Sequence, residues 1–165
     1  MRQTGDCFVI REAVQEDVGH ILTFIRELAE YEKMLDQVVA TEELLTEWLF
    51  GRGTARALIA EENGRPVGFA LYFFNFSTFL GRGGLYLEDL YVRPECRGKG
   101  YGKRLFVKLA AIAKAEGCGR FEWWCLDWNK PSIDFYLSMR AKPMDEWTVY
   151  RIDGGTLDRL AAQDE

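Results

Sequence analysis

GLYLEDLYVRPECRGKGYGKRLFVKLAAIAKAEG, residues 84–117, changes its hydrophobic period partway along. Residues 84–92 are rich in apolar and aromatic side chains and end at Arg93-Pro94, which predicts a strand and its exit. Leu105, Leu109, Ile112 and Ala113 then recur at helical spacing up to Gly117, which predicts a helix with a glycine stop. Between the two lies RGKGYG, 97–102, where three glycines alternate with Arg97, Lys99 and Tyr101. Such a loop gathers bare backbone N–H groups at a helix N-terminus, where the helix dipole favours an anion. Arg97, Lys99 and Lys103 add positive charge, so the expected ligand is a pyrophosphate. Two familiar phosphate loops do not fit. No G-x-x-x-x-G-K-[ST] run occurs, and the glycines run G-x-G-x-G after a fourth strand instead of G-x-G-x-x-G after a first. The structural alternative is a glycine-rich turn with a solvated basic fringe.

Outward from this stretch, 7–12 (CFVIRE) predicts a first strand, and a stripe of Ile21, Leu22, Ile25, Leu28 and Ala29 predicts a helix from Glu16 to about Met34, with Asp17 as its cap. Thr41-Glu42-Glu43-Leu44 opens a short second helix. Residues 55–76 form a hairpin around Asn63-Gly64, and 80–84 (LGRGG) a second turn. Residues 120–128 (RFEWWCLDW) predict a strand, 130–139 a helix with Pro131 in its first turn, 145–153 (DEWTVYRID) a strand closing the sheet, and 156–161 a last helix. The order β, α, α, β, β, β, α, β, α, β implies a single α/β domain over 1–165, of mixed α+β type, with a central mixed sheet and helices on its faces.

The 165 residues carry a net charge of -5, which leaves no broad basic footprint for nucleic acid. There is one histidine, His20, and four cysteines with no CxxC, so the usual zinc spacings are absent and no metal is expected. No apolar run approaches a membrane span or a signal sequence, so neither membrane nor nucleic acid is an expected partner and a cytoplasmic protein is expected.

Leu87-Glu88-Asp89-Leu90-Tyr91-Val92, then Arg97-Gly98-Lys99-Gly100-Tyr101-Gly102, then Asn129-Lys130-Pro131-Ser132 and Phe135-Tyr136 together resemble the GNAT superfamily of N-acetyltransferases. FVIREA, ELAEYEKM, YLEDLYV, DWNKPSIDFY and EWTVYRI narrow the resemblance to the branch of the diamine (spermidine/spermine) and thialysine acetyltransferases, over nearly the whole chain. The resemblance implies a GNAT fold, with a mostly antiparallel, twisted central sheet and helices on both faces. It implies acetyl-coenzyme A (acetyl-CoA) as co-substrate, a small primary amine as acceptor, and a homodimer. It further implies that Leu90, Tyr91 and Val92 bind the pantetheine arm through the backbone, that Gly98 to Lys103 take the pyrophosphate, and that Asn129, Lys130, Pro131 and Ser132 hold the lower part of the cofactor. For the acceptor it suggests Tyr31, Glu32, Glu88, Glu122, Trp123, Trp124, Asp145 and Glu146.

The chemistry of the residues fits this outline. An alkyl ammonium has a pKa of about 10.4 and must lose a proton before it attacks a thioester. Glu88 is the expected acceptor of that proton. In strict alternation Glu88 and Asp89 point to opposite faces, so the pair needs a bulge, a wet cleft or a cationic ligand, unless it is an exposed or salt-bridged structural pair. Tyr136 is the implied acid for the departing coenzyme A sulfur; taken alone, Ile133, Tyr136 and Leu137 are a core stripe. Where the family has a glycine after this helix the chain has Arg140; a left-handed helix end costs a non-glycine residue about 1 kcal/mol, so the residues leave the local backbone open here, though not the fold. Cys96 and Cys125 raise an acetyl-cysteine route, which the absence of a neighbouring histidine disfavours. The rival readings are acetylation of a protein lysine or N-terminus, and a non-catalytic acetyl-CoA sensor.

Overall fold

The computed structural model describes residues 7–164, which form two compact units, 7–124 and 125–164. The first holds β1 (Phe8–Glu12), α1 (Val18–Tyr31), α2 (Glu42–Leu45), β2 (Arg56–Glu62), β3 (Arg65–Ser77), β4 (Arg82–Val92), α3 (Tyr101–Ala115) and β5 (Phe121–Trp123). The second holds α4 (Lys130–Ser138) and α5 (Gly154–Ala161).

The five strands form one sheet in the order β1-β2-β3-β4-β5. The first three pairings are antiparallel and β4–β5 is parallel. The β2–β3 turn has Asn63 and Gly64 both at positive φ, 54° and 79°, the primed turn that Asn-Gly favours. Four residues past this turn a Cβ on Gly68 would lie 2.5 Å from the Tyr91 carbonyl, so β3 and β4 approach there only because the side chain is missing.

Ile21 and Phe24 of α1 pack on Ala57 and Ile59 of β2, Phe69 and Leu71 of β3, and Tyr91 of β4. Leu58 and Ala60, which point the other way, are buried too, so the sheet is covered on both faces. The helix α3 lies against β4 and β2 on the second face, burying Leu105 and Leu109, while Phe106 packs on Phe121 and Trp123.

Three expectations are corrected. Asp17 stands before α1 but does not cap it: its carboxylate accepts from the Val14 amide at 2.8 Å and from Arg11 at 2.6 and 2.9 Å. The Arg11 guanidinium, more than any other group, holds the Asp17 carboxyl below its usual range and ties β1 to the start of α1. The fifth strand is three residues long, not nine, because the chain turns at Asp127–Trp128. Residues 145–153 form no strand. Extended backbone becomes a strand only by pairing, and the unit 125–164 has no strand to receive it.

In the second unit α4 starts as Pro131 predicts, and its two ends show local detail that the sequence leaves open. The Asn129 side chain accepts from the Ser132 amide at the start of α4, with Pro131 in the first turn. Arg140 ends the helix at φ 64°. Replacing Arg140 by glycine is therefore expected to stabilise the fold by about 1 kcal/mol, read as a higher midpoint in thermal unfolding.

Candidate active site

The strand β4 pairs with β5 only from Leu85 to Leu87, although it runs on to Val92. Beyond Leu87 its outer edge has no partner strand among the described residues. The departure coincides with a bulge: Leu71 pairs with Asp89 and Tyr72 with Leu87, which leaves Glu88 as the extra residue. The Arg93 amide donates to Val67 of β3 at 2.9 Å. Alternation then turns the backbone of Tyr91 toward β3 and that of Leu90 and Val92 toward the open edge. Of the three residues expected to offer backbone groups, Leu90 and Val92 therefore do so and Tyr91 does not. The Val92 carbonyl accepts from Arg97 Nε at 2.9 Å.

The bulge also resolves the expected conflict between two adjacent acids. Glu88 is exposed, and Asp89 turns to the face of Leu71, which α1 covers. Burial, reinforced by the charges of Glu88 and Glu32, pushes the Asp89 carboxyl up to about 7. Burial also raises Glu32, just past the end of α1. Glu88 and Glu32 thus bear on Asp89 where the strand edge opens. Asp89 joins the candidate site although the sequence singles out Glu88; the sequence signal for it is the pair Glu88-Asp89 inside an apolar strand. Tyr31 joins the group from α1, with the Arg97 guanidinium 5.5 Å from its ring.

The glycine loop follows. Gly98 and Gly100 adopt φ of 78° and 80°, and a Cβ at Gly98, Gly100 or Gly102 would meet nothing within 4 Å. The amides of Gly98, Gly100, Gly102 and Lys103 donate to no backbone carbonyl outside α3 among the described residues, and they gather at the α3 N-terminus. Open, unpaired amides at a helix start fit an anion. The loop cations are used differently from expectation. Arg97 turns back to β4, with its guanidinium 5.7 Å from the Tyr91 ring. Lys99 Nζ lies 2.6 Å from Glu62 Oε1, and the Tyr101 hydroxyl donates to the same oxygen. Lys103 is exposed.

The remaining expected residues divide. Trp123 is half-buried and packs on Phe106 and Phe121. Trp124 is exposed and meets Tyr86 edge-on at 5.9 Å, and Glu122 is half-buried beside the same strand. In the second unit Asn129 is buried, Lys130 pairs with Asp134 at 2.9 Å, Ser132 and Tyr136 are half-buried in α4, and Asp145 and Glu146 are exposed. The Phe135 and Tyr136 rings meet at 5.5 Å. Cys96 is buried and its thiol is pushed up by that burial. Among the described residues no group of three or more His, Cys, Asp or Glu is arranged to hold a metal ion, and no helix is long and apolar enough to cross a membrane.

The first unit thus brings together a strand edge left open beyond Leu87, a glycine loop at a helix start and three acids. The model of the acetyltransferase (GNAT) family matches residues 14–139. A thialysine N-epsilon-acetyltransferase from Sus scrofa is 42% identical over 167 residues, covering 94% of this chain and 98% of that protein. A spermidine/spermine N(1)-acetyltransferase-like protein from Homo sapiens is 35% identical over 165 residues, covering 93% of this chain and 24% of that protein. The solved structure of an integron cassette protein from the V. cholerae mobile metagenome matches with a TM-score of 0.77 at 28% identity, covering 93% of this chain and 97% of that one. The chain belongs to the GNAT acetyltransferase family and is an acetyltransferase.

Proposed function

We propose that the enzyme transfers the acetyl group of acetyl-CoA directly to a primary amine of a small polyamine or lysine-analogue acceptor. The observation that carries this is the cluster of Glu32, Glu88 and Asp89 where β4 opens, because a cation is what such a cluster attracts. The names of the relatives, a thialysine and a spermidine/spermine-type acetyltransferase, support an acceptor of this size and charge.

When bound, acetyl-CoA supplies an activated acetyl thioester. The residues present fit it. The amides of Gly98, Gly100, Gly102 and Lys103 suit its pyrophosphate, and the outward backbone of Leu90 and Val92 suits an extended amide arm and can polarise the acetyl carbonyl. Asp89 takes the proton of the incoming ammonium, with the exposed Glu88 drawing the cation in. On the family resemblance Tyr136 returns a proton to the sulfur, and Asn129 and Ser132 hold the lower cofactor. The raised Cys96 thiol favours direct transfer over an acetyl-cysteine.

The test is thiol release from acetyl-CoA with polyamines, diamines, thialysine, lysine and a lysine peptide. Turnover with the small diamines or thialysine is expected. Turnover confined to the peptide would replace this reading with protein acetylation, and cofactor binding without release to any amine would leave a sensor.

A homodimer is proposed as the working form. Trp147 is 74% exposed and Tyr150 92% exposed, on an extended segment that also exposes Val149 and Ile152. A second copy of the chain would cover this apolar surface. Sedimentation should give twice the chain mass, and a monomer at micromolar concentration would exclude it.

A further inference from the structure

We propose that Glu62 is a positioning residue for the phosphate loop, holding it in shape by occupying Lys99 and Tyr101. This rests on the acetyl-CoA reading above. The loop from Arg97 to Gly102 has two glycines at positive φ, and its residues 97–100 are exposed, so little packing holds it. Glu62 supplies a fixed point. It is the last residue of β2, in register with Phe8 on one side and Arg65 on the other, and its side chain is only 16% exposed. From there one carboxylate oxygen accepts from both Lys99 Nζ and the Tyr101 hydroxyl. The Tyr101 ring stacks on Phe8 at 3.8 Å and 14°, and Arg104 of α3 sits 4.2 Å from that Phe8 ring. The loop is thereby held to the β1–β2 edge from both sides of Gly100.

Two consequences follow for binding. A carboxylate beside a pyrophosphate is repulsive unless it is neutralised, and Lys99 neutralises it. Lys99 therefore acts through Glu62 more than as a direct phosphate cation, which leaves the loop amides and Lys103 to face the phosphates. The alternative, Lys99 as a plain phosphate contact, predicts the opposite sign for Glu62: removing the acid would free a cation and tighten binding.

Titration of coenzyme A into wild-type protein, Glu62→Gln, Lys99→Ala and the double variant separates the two. Glu62→Gln is expected to weaken coenzyme A binding about tenfold and to raise KM for acetyl-CoA similarly, with a far smaller change in kcat. The double variant should bind no worse than the weaker single one, because both remove the same coupling. Tyr101→Phe should weaken binding in the same direction. Equal or tighter binding by Glu62→Gln, or losses that add in the double variant, would overturn the proposal. Absence of coenzyme A binding by the wild type would instead overturn the cofactor reading. Thermal unfolding of each variant identifies any that lose binding by losing the fold, and for these Tyr101→Phe decides.

Discussion

Replacing Tyr136 by phenylalanine is expected to lower kcat about 100-fold or more while changing acetyl-CoA affinity by no more than about twofold. The substitution deletes one hydroxyl from a half-buried side chain in the middle of α4 and keeps the ring that meets Phe135. Packing and the Asn129 cap are left in place, so the fold should melt as before. A phenol with a pKa of about 10 remains protonated at neutral pH and can protonate the departing sulfur, whose thiol pKa is about 8.5. Loss of that donor penalises only the step in which the carbon–sulfur bond breaks. Steady-state thiol release with a saturating diamine, set beside a binding isotherm for coenzyme A, reads both quantities. Equal kcat in the two proteins would remove Tyr136 from the chemistry, and a parallel loss of affinity would make it a binding residue.

Asp89→Asn should lower kcat/KM about 100-fold at pH 8 and abolish the acid limb of the pH profile. The wild-type rate is expected to rise with pH through about 7, as the buried carboxylate loses its proton and becomes able to accept one from the substrate. Stability should move the other way. The folded Asp89 carboxyl lies near 7 and its unfolded value near 3.8, so the fold disfavours the charged form. The native state is then most favoured below the unfolded value and loses stability as pH rises through 7. Asparagine carries no such penalty. Asp89→Asn should therefore match the wild type at pH 4 and melt at a higher temperature at pH 8. A variant that is less active yet more stable in alkali identifies a charge kept at a cost for function. An inflection near 7 that survives in Asp89→Asn would assign it to another group, Glu32 first, since burial raises that carboxyl as well.

Most of the site was legible where its signal is local. The hairpin at Asn63-Gly64 and the positive φ of Gly98 and Gly100 follow from backbone sterics of a few adjacent residues, whereas the left-handed Arg140 does not. The need for some device at Glu88-Asp89 was also legible, since alternation alone leaves one acid on a covered face. Which device it is, and which acid it buries, depended on how β3 faces β4: the skipped residue is defined only by Leu71 and Tyr72, sixteen or more positions away. Residues 145–153 show the same limit from the other side. Their apolar pattern reads as a strand, yet a strand also needs a partner edge, and pattern alone does not provide one.

The sequence by itself determined the order of elements as far as α4, the glycine loop between β4 and α3, the acidic pair Glu88-Asp89 and the family resemblance, because periodicity, glycine placement and residue chemistry are properties of neighbouring residues. Only the tertiary structure decided that Asp89 is the acid with the raised carboxyl, that Leu90 and Val92 present the free strand edge, and that Lys99 and Tyr101 serve Glu62, 37 and 39 positions earlier. Each of these is a pairing between distant segments. Its energy exists only once the sheet has closed and brought the partners together, so no local preference foretells it.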